Sequence, residues 1–213
     1  MAWQFIVAAV VGYLLGSIPG GYLMGRLTRG IDVRQYGSGK TGATNALRTL
    51  SLWAVLLVLV IDIGKAAAAV SVARAISSDA WAQAIAGTTA VAGHVWPVYL
   101  RFRGGRGVSA AYGSMLAMNP LASLALLPVA AVIIGATRYM SLMSVSMAPI
   151  AAALFLALAA GGVLPYAYAA FAIVVAALIV VLHRDNVQRL LAGRERKIGQ
   201  RERVSPKSGG AEG

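Results

Sequence analysis

Six apolar runs, each on the order of the 20 residues a helix needs to cross a bilayer, occupy about 2–24, 51–73, 80–100, 121–137, 141–161 and 163–183. They leave little chain for anything else. Backbone N–H and C=O groups in hydrocarbon must be satisfied within the protein, so a chain patterned this way folds as helices. No alternating βαβ pattern, long-period repeat or separate soluble domain interrupts the runs. Composition agrees: 59% of the 213 residues are hydrophobic and 12% are charged, too few charges for the surface of a soluble domain. The first run has no Lys or Arg ahead of it and no small-residue cleavage site leading into a soluble domain, so it reads as a retained span.

Charge decides how the runs are threaded. Arg26, Arg29, Arg34, Lys40 and Arg48 follow the first run, Arg101, Arg103 and Arg106 follow the third, and Arg184 to Lys207 follow the last. Positive residues collect on the cytoplasmic side. All three clusters share that side only if residues 108–118, VSAAYGSMLAM, cross separately and stop at the helix-breaking pair Asn119-Pro120. The expected fold is an all-α integral membrane protein with seven transmembrane helices, the N-terminus outside and the C-terminus cytoplasmic. Residues 108–118 are short for a crossing, and Ser109, Gly113 and Ser114 are the small residues that would let neighbouring helices close around them. Residues 1–203 read as a single polytopic membrane domain, and 204–213, SPKSGGAEG after Val204, as a disordered cytoplasmic tail.

The chain has no cysteine, which excludes disulfides, thiolate metal sites and a cysteine nucleophile. No metal or cofactor is expected. The formal charge of +12 reads as topological anchoring rather than nucleic-acid affinity, because base-stacking aromatics are not interleaved with the charges.

The threading places every unusual polar stretch on one side. GSGKTGATNALR (37–48), FRGGRGVS (102–109), RYMSLMS (138–144) and HRDNVQRL (183–190) can meet at one inner-face site. Gly-rich turns followed by helix N-termini present backbone N–H groups to anions. His183, Asn186 and Arg189 recur at i, i+3 and i+6, a spacing that lines one helix face. GSGKT imitates the end of a nucleotide-binding phosphate loop, but Arg34 stands where that pattern needs its first Gly, and no strand precedes it. A nucleotide is therefore not expected.

Four motifs in this order resemble those of the bacterial acyl-phosphate-dependent glycerol-3-phosphate acyltransferases, the PlsY family. They are GSGxxGATNxxR at 37–48, GHxxPVxxxFxGGxGV at 93–108, a Ser-bearing inner loop at 141–144, and HxxNxxRLxxGxE at 183–195. Two positions depart from the family pattern: Lys40 stands in place of the usual Asn, and Arg106 in place of the usual Lys. Arginine keeps the charge and can grip phosphate bidentately.

The resemblance implies a seven-helix fold with its N-terminus outside, in agreement with the threading, while the charge pattern and lack of sorting signals fit a bacterial inner membrane with the active site at its cytoplasmic face. It implies transfer of a fatty acyl group from acyl phosphate to the 1-hydroxyl of glycerol 3-phosphate, with lysophosphatidate and phosphate as products. Acyl phosphate is a mixed anhydride with a good leaving group, and the chain has no Gly-x-Ser-x-Gly elbow, so direct transfer without an acyl-enzyme is expected. Nor is there the His-x-x-x-x-Asp pattern of acyl-CoA-using glycerolipid acyltransferases. Arg48, Arg106 and the backbone amides of Gly104, Gly105 and Gly107 are the candidate phosphate contacts, with Ser38, Asn45, Ser141 and Ser144 as hydrogen-bonding partners. By resemblance, His183 and Asn186 line the glycerol 3-phosphate pocket. The hydroxyl proton could go to His183 or to the substrate's own phosphate, and the oxyanion could be met by the Gly-loop amides or Asn45.

Other polar residues read as structural. His94 caps or packs ahead of Trp96-Pro97, Asp62 and Lys65 form an i, i+3 ion pair within the second span, and Glu195 docks the tail. The competing functional class is an organophosphate transporter or channel, which would also gather arginines and broken helices.

Overall fold

The structure, a computed structural model, describes residues 2–200. The tail expected at 204–213 lies outside the described residues. Ten α-helices and two 3-10 turns, with no strand, make up those residues.

The first apolar run is a broken helix rather than a straight one. α1 (Trp3–Gly16) and α2 (Gly20–Arg29) are separated at Ser17-Ile18-Pro19. Pro19 has no N–H to offer and restricts the backbone of Ile18. α2 is amphipathic, which is why an averaged hydropathy ends the run at about residue 24 while the helix continues to Arg29. After a loop and the four-residue α3 (Ala43–Ala46) comes α4 (Leu52–Ile76), the longest helix at 25 residues. α5 (Ala80–Val95) starts where the Asp79 carboxylate accepts the Trp81 N–H at 2.8 Å, and it stops ahead of Pro97, short of the expected residue 100.

Next are α6 (Val108–Met118) and α7 (Pro120–Thr137), divided at Asn119-Pro120 as the sequence suggests. Asn119 Oδ1 accepts the Ala122 N–H at 2.8 Å, capping α7 at its proline. α8 (Met140–Ala160) and α9 (Tyr166–Leu182) follow, and α10 (Arg184–Leu191) leaves α9 at a bend of 57°.

Among the described residues four helical stretches are long and apolar enough to cross a membrane: Trp3–Arg29, Leu52–Ile76, Pro120–Thr137 and Met140–Ala160. The bent α9–α10 pair makes a fifth. α6, at about 1.5 Å per residue, reaches only about half the roughly 30 Å hydrocarbon thickness. It is sheathed by α4, α5, α7 and α9, and its Ala110, Ala111, Met115 and Met118 are part of the main buried cluster with Phe155 and Phe171. Contact with protein replaces contact with lipid. The closest approach is at Gly113, where a Cβ would strike the Ile63 carbonyl oxygen of α4. At the far end of α4, Arg74 donates to Gln83 Oε1 at 3.1 Å, and that atom also accepts the Tyr168 hydroxyl at 2.6 Å, so α4, α5 and α9 share one polar link.

Gly113→Val should therefore force α4 and α6 apart and cost about 1–3 kcal/mol, the usual penalty for overpacking. Thermal unfolding of the purified protein in detergent would show it as a lowered midpoint. A variant melting with the parent would mean that the two backbones do not touch there.

Candidate active site

All four polar motif segments converge on one cavity of about 650 Å³. Its polar end is lined by Ser38, Lys40, Asn45, Arg48, His94, Arg106, Ser141, Ser144, His183 and Asn186. An apolar arm runs from there between the helices, past Val55, Leu59 and Ile63 of α4, Ala130 and Ile134 of α7, Met147 and Ala151 of α8, and Phe171 and Val175 of α9. The wall residues Leu52, Leu56 and Leu127 are 61%, 53% and 46% exposed, so the side of the cavity faces what would be lipid. A cavity with a cationic head and an oily arm fits an amphiphile with an anionic headgroup.

The polar end is built from turns. Residues 36–42 wrap around Asn45, whose Nδ2 donates to the carbonyls of Val33, Tyr36 and Lys40 at 2.8, 3.1 and 2.8 Å. Its Oδ1 accepts the Ser38 N–H at 2.8 Å. Asn45 is 2% exposed and its amide is fully committed to backbone, so it shapes the loop and is not the oxyanion donor considered above. Arg48 packs against Gly37 beside it and reaches the cavity. Arg34 is held by Asp32, with Nη2 to Oδ2 at 2.7 Å, and stacks 5.2 Å from the Tyr22 ring centroid. The nucleotide-loop resemblance thus ends in a turn before a one-turn helix, with a bound arginine at the position of the missing Gly.

The second Gly-rich segment needs a correction. The Gly104 N–H donates to the Val95 carbonyl at 3.1 Å and the Gly105 N–H to the His94 carbonyl at 3.0 Å. Both amides are spent within the protein. The turn backs onto the end of α5, and this consumes donors that a sequence motif counts as available. Gly104 and Gly105 therefore enter as shapers of a tight turn. Gly107, at φ +86°, adopts the left-handed conformation that launches α6 and aims that helix's N-terminus at the polar end.

Arg106 lines the cavity with no ion-pair partner among the described residues, and its buried Nε has no hydrogen bond. Burial and the neighbouring Arg189 and Arg48 guanidinium groups pull its pKa below the ordinary value, against the opposing fields of Glu195 and Asp185. A cation held in this way gains most from an anion.

His183 sits at the α9–α10 bend, 3% exposed, with Nδ1 2.8 Å from the Ile179 carbonyl oxygen. A carbonyl can only accept, so Nδ1 carries the proton and Nε2 keeps its lone pair. Asn186 donates from Nδ2 to Glu195 at 2.8 Å, while its buried Oδ1 has no partner. Ser141 Oγ lies beside the same carboxylate without a well-aligned hydrogen bond, and Ser144 Oγ donates to the Met140 carbonyl at 2.8 Å. Arg189 does not join His183 and Asn186 at the cavity. It pairs with Glu195 at 2.7 Å, on the carboxylate that Asn186 Nδ2 also holds, so its guanidinium is committed to the tail.

Three contributors escaped the sequence reading. Glu195 docks the tail as expected, but by holding Asn186 it also orients a cavity residue. The segment after it, with Arg196, Lys197 and Ile198, folds back as a cavity wall, tied by the Ile198 N–H to the Arg138 carbonyl at 2.9 Å. His94 lines the cavity as well. No local motif signals such docking of a tail, since its partners lie some 60 residues away in the chain.

A helical bundle enclosing a cavity with a cationic head and an oily arm suits a membrane protein that handles phosphate-bearing amphiphiles. Comparison with known proteins agrees. The sequence model of the glycerol-3-phosphate acyltransferase family matches residues 6–193. A Dehalococcoides mccartyi protein named glycerol-3-phosphate acyltransferase 3 is 42% identical over 212 residues, covering 94% of this chain and 98% of that one. The Symbiobacterium thermophilum glycerol-3-phosphate acyltransferase is 42% identical over 200 residues, with coverage of 94% and 98%. The crystal structure of the integral membrane glycerol 3-phosphate acyltransferase PlsY in its glycerol 3-phosphate form superimposes with a TM-score of 0.83 at 36% identity, covering 92% of this chain and 96% of that one. Its lysophosphatidic acid form gives 0.82. This chain belongs to the glycerol-3-phosphate acyltransferase family.

Burial raises the Glu195 carboxyl, but the contacts from Asn186, Arg189 and Ser141 lower it by more, to below its ordinary 4.5. Its stabilising contribution is therefore complete above the unfolded-state value and is lost as pH falls through the depressed folded one. Melting temperatures measured from pH 7 downward should drop more steeply below about pH 5 for the parent than for Glu195→Gln. Parallel curves would remove Glu195 from the fold's acid response.

Proposed function

We propose that this protein transfers a fatty acyl group from acyl phosphate to the 1-hydroxyl of sn-glycerol 3-phosphate, releasing lysophosphatidate and inorganic phosphate at the first step of phospholipid synthesis. The observation that carries this reading is the single cavity in which an arginine-bearing polar head continues into an apolar arm open toward lipid. Glycerol 3-phosphate is fully polar and acyl phosphate is half oil. Only a site with both characters can hold them end to end. The relatives are named for the acceptor and one PlsY structure is a lysophosphatidic acid form, and the choice of acyl phosphate as donor rests on the motif resemblance together with the lack of a cysteine or Gly-x-Ser-x-Gly nucleophile among the described residues of the cavity. Membership of an acyltransferase family replaces the transporter reading.

In this mechanism Arg48 and Arg106 hold the phosphate groups, with Ser38 and Ser141 as hydrogen-bond donors, while Ser144, whose hydroxyl donates to the Met140 carbonyl, is left to accept from a substrate hydroxyl. Asn186 Oδ1 accepts from a glycerol hydroxyl. His183 Nε2 accepts the hydrogen bond of the attacking 1-hydroxyl and takes its proton as the oxygen attacks the acyl carbon. The tetrahedral centre then collapses, the bond from acyl carbon to bridging oxygen breaks, and phosphate leaves with the electron pair. The proton returns to solvent or to the departing phosphate. The Nδ1–H tautomer leaves Nε2 free to take the hydroxyl proton.

We further propose a single membrane domain that crosses seven times, with α1 and α2 as one broken crossing, α6 as a short buried crossing, the N-terminus outside and the cavity head at the cytoplasmic face of a bacterial inner membrane. The positive-inside rule supports this orientation, because the basic loops at 26–48, 101–106 and 184–200 then share one side with the polar head. Labelling of single cysteines placed at Ser78 and Ser208 with a membrane-impermeant maleimide tests it. The first should react in intact cells and the second only after lysis.

Phosphate release in lipid bicelles, with glycerol 3-phosphate and either palmitoyl phosphate, palmitoyl-CoA or ATP, tests the chemistry. Lysophosphatidate should form with palmitoyl phosphate alone, and formation only from palmitoyl-CoA would overturn the donor. His183→Gln should lower kcat by about 100-fold or more, the range of a lost general base. Near-normal kcat would instead leave the proton with the substrate phosphate. Arg48→Ala and Arg106→Ala should each raise a substrate KM by about tenfold or more, the worth of a charged hydrogen bond.

A further inference from the structure

The proposed mechanism leaves one buried polar cluster unused. Within α4, Lys65 Nζ donates to Asp62 Oδ1 at 2.8 Å and also to the Ile18 carbonyl, at the α1–α2 break, at 2.5 Å. Across the interface, His94 Nδ1 of α5 faces the same Asp62 oxygen at 3.5 Å, an electrostatic contact without an aligned hydrogen bond. The side chains of Asp62, Lys65 and His94 are 1%, 4% and 4% exposed. The far side of the His94 ring rests on the second Gly-rich turn, so closely that a Cβ on Gly105 would overlap Nε2. The His94 carbonyl holds the Gly105 N–H, and the neighbouring Val95 carbonyl holds that of Gly104. Contacts thus run from Ile18 through Lys65, Asp62 and His94 to Gly105, whose next residue is Arg106.

Charges within a span are expensive, and apolar residues of similar volume would stabilise a helix interface as well or better. Their directionality is what an apolar cluster lacks. We propose that Asp62, Lys65 and His94 are a positioning device for the reaction: they fix the His94 ring, the ring fixes the turn at Gly104–Gly107, and the turn places Arg106 at the substrate phosphate. The inference rests on the acyltransferase reading only for its kinetic readout. The need for glycine at position 105 follows directly, since any side chain there would displace the ring.

The test is a double-mutant cycle on the full-length protein in bicelles, with His94→Ala, Arg106→Ala and the double variant, alongside Asp62→Asn. Two quantities are read: substrate KM in lysophosphatidate formation, and the affinity for inorganic phosphate by calorimetry. If His94 acts through Arg106, His94→Ala raises the KM that Arg106→Ala raises and leaves the other within about twofold. It also weakens phosphate binding by about tenfold, and adds less than about twofold to the loss already present in Arg106→Ala. Asp62→Asn follows His94→Ala in direction. Multiplicative losses in the double variant, or a lowered melting temperature with unchanged KM and phosphate affinity, would overturn the proposal and leave the cluster as helix packing. Should His94→Ala not be recovered folded, His94→Asn completes the same cycle. A parent protein that makes no lysophosphatidate but binds phosphate would defeat the functional reading alone, and the calorimetric cycle would still decide the role of His94.

Discussion

The buried Asp62–Lys65 pair is the interaction on which the rest of this structure leans. Removing one partner of such a pair typically costs about 3–5 kcal/mol, because the other is left charged in a medium that cannot solvate it. Here the pair also joins elements that hydrophobic burial alone would leave free to slide. Lys65 pins the break between α1 and α2 through the Ile18 carbonyl, and Asp62 faces His94 at the end of α5. Lipid tails are as apolar as alanine or valine side chains, so burying apolar surface distinguishes poorly between one helix register and another. A directional polar contact supplies the register.

With that register set, small residues do the packing. Gly113 lets α6 lie against the backbone of α4, and the alanine-rich faces around Phe155 and Phe171 bring α5, α8 and α9 together. An eleven-residue helix can then stand in the bundle without presenting its ends to lipid. Because α6 is short, its N-terminus opens within the bundle at the level where the loops gather. The polar head of the cavity forms there, and the longer helices around it extend past to make the apolar arm.

Much of the site was legible from residue types and order. The four polar segments, the arginines at 48 and 106, and His183 with Asn186 do meet at one cavity. What the motifs could not carry was the accounting of hydrogen bonds. Asn45 and the amides of Gly104 and Gly105 read as donors for a ligand, yet each is consumed by carbonyls of the protein itself, whereas Asn186 Oδ1 and Arg106 Nε are left without partners. Arg189 shares the spacing of His183 and Asn186, but its guanidinium is taken by the Glu195 carboxylate rather than lining the cavity. His94 read as packing because its partner Asp62 is on another helix, and nothing local to either residue announces the other.

While the break at Pro19 within the first run appeared only in the fold, the sequence by itself determined that this chain is helical and lives in a membrane, that one helix break falls at Asn119-Pro120, and which residue types are concentrated in its loops. These are properties of short windows: backbone satisfaction in hydrocarbon, the missing N–H of proline and the reach of a run of apolar residues are all set within about a dozen positions. Only the tertiary structure decided which of the polar atoms remain available to a substrate. That depends on contacts between residues such as Arg138 and Ile198, or Asp62 and His94, separated by tens of positions, and each such contact removes a donor or acceptor from one account and aims another into the cavity.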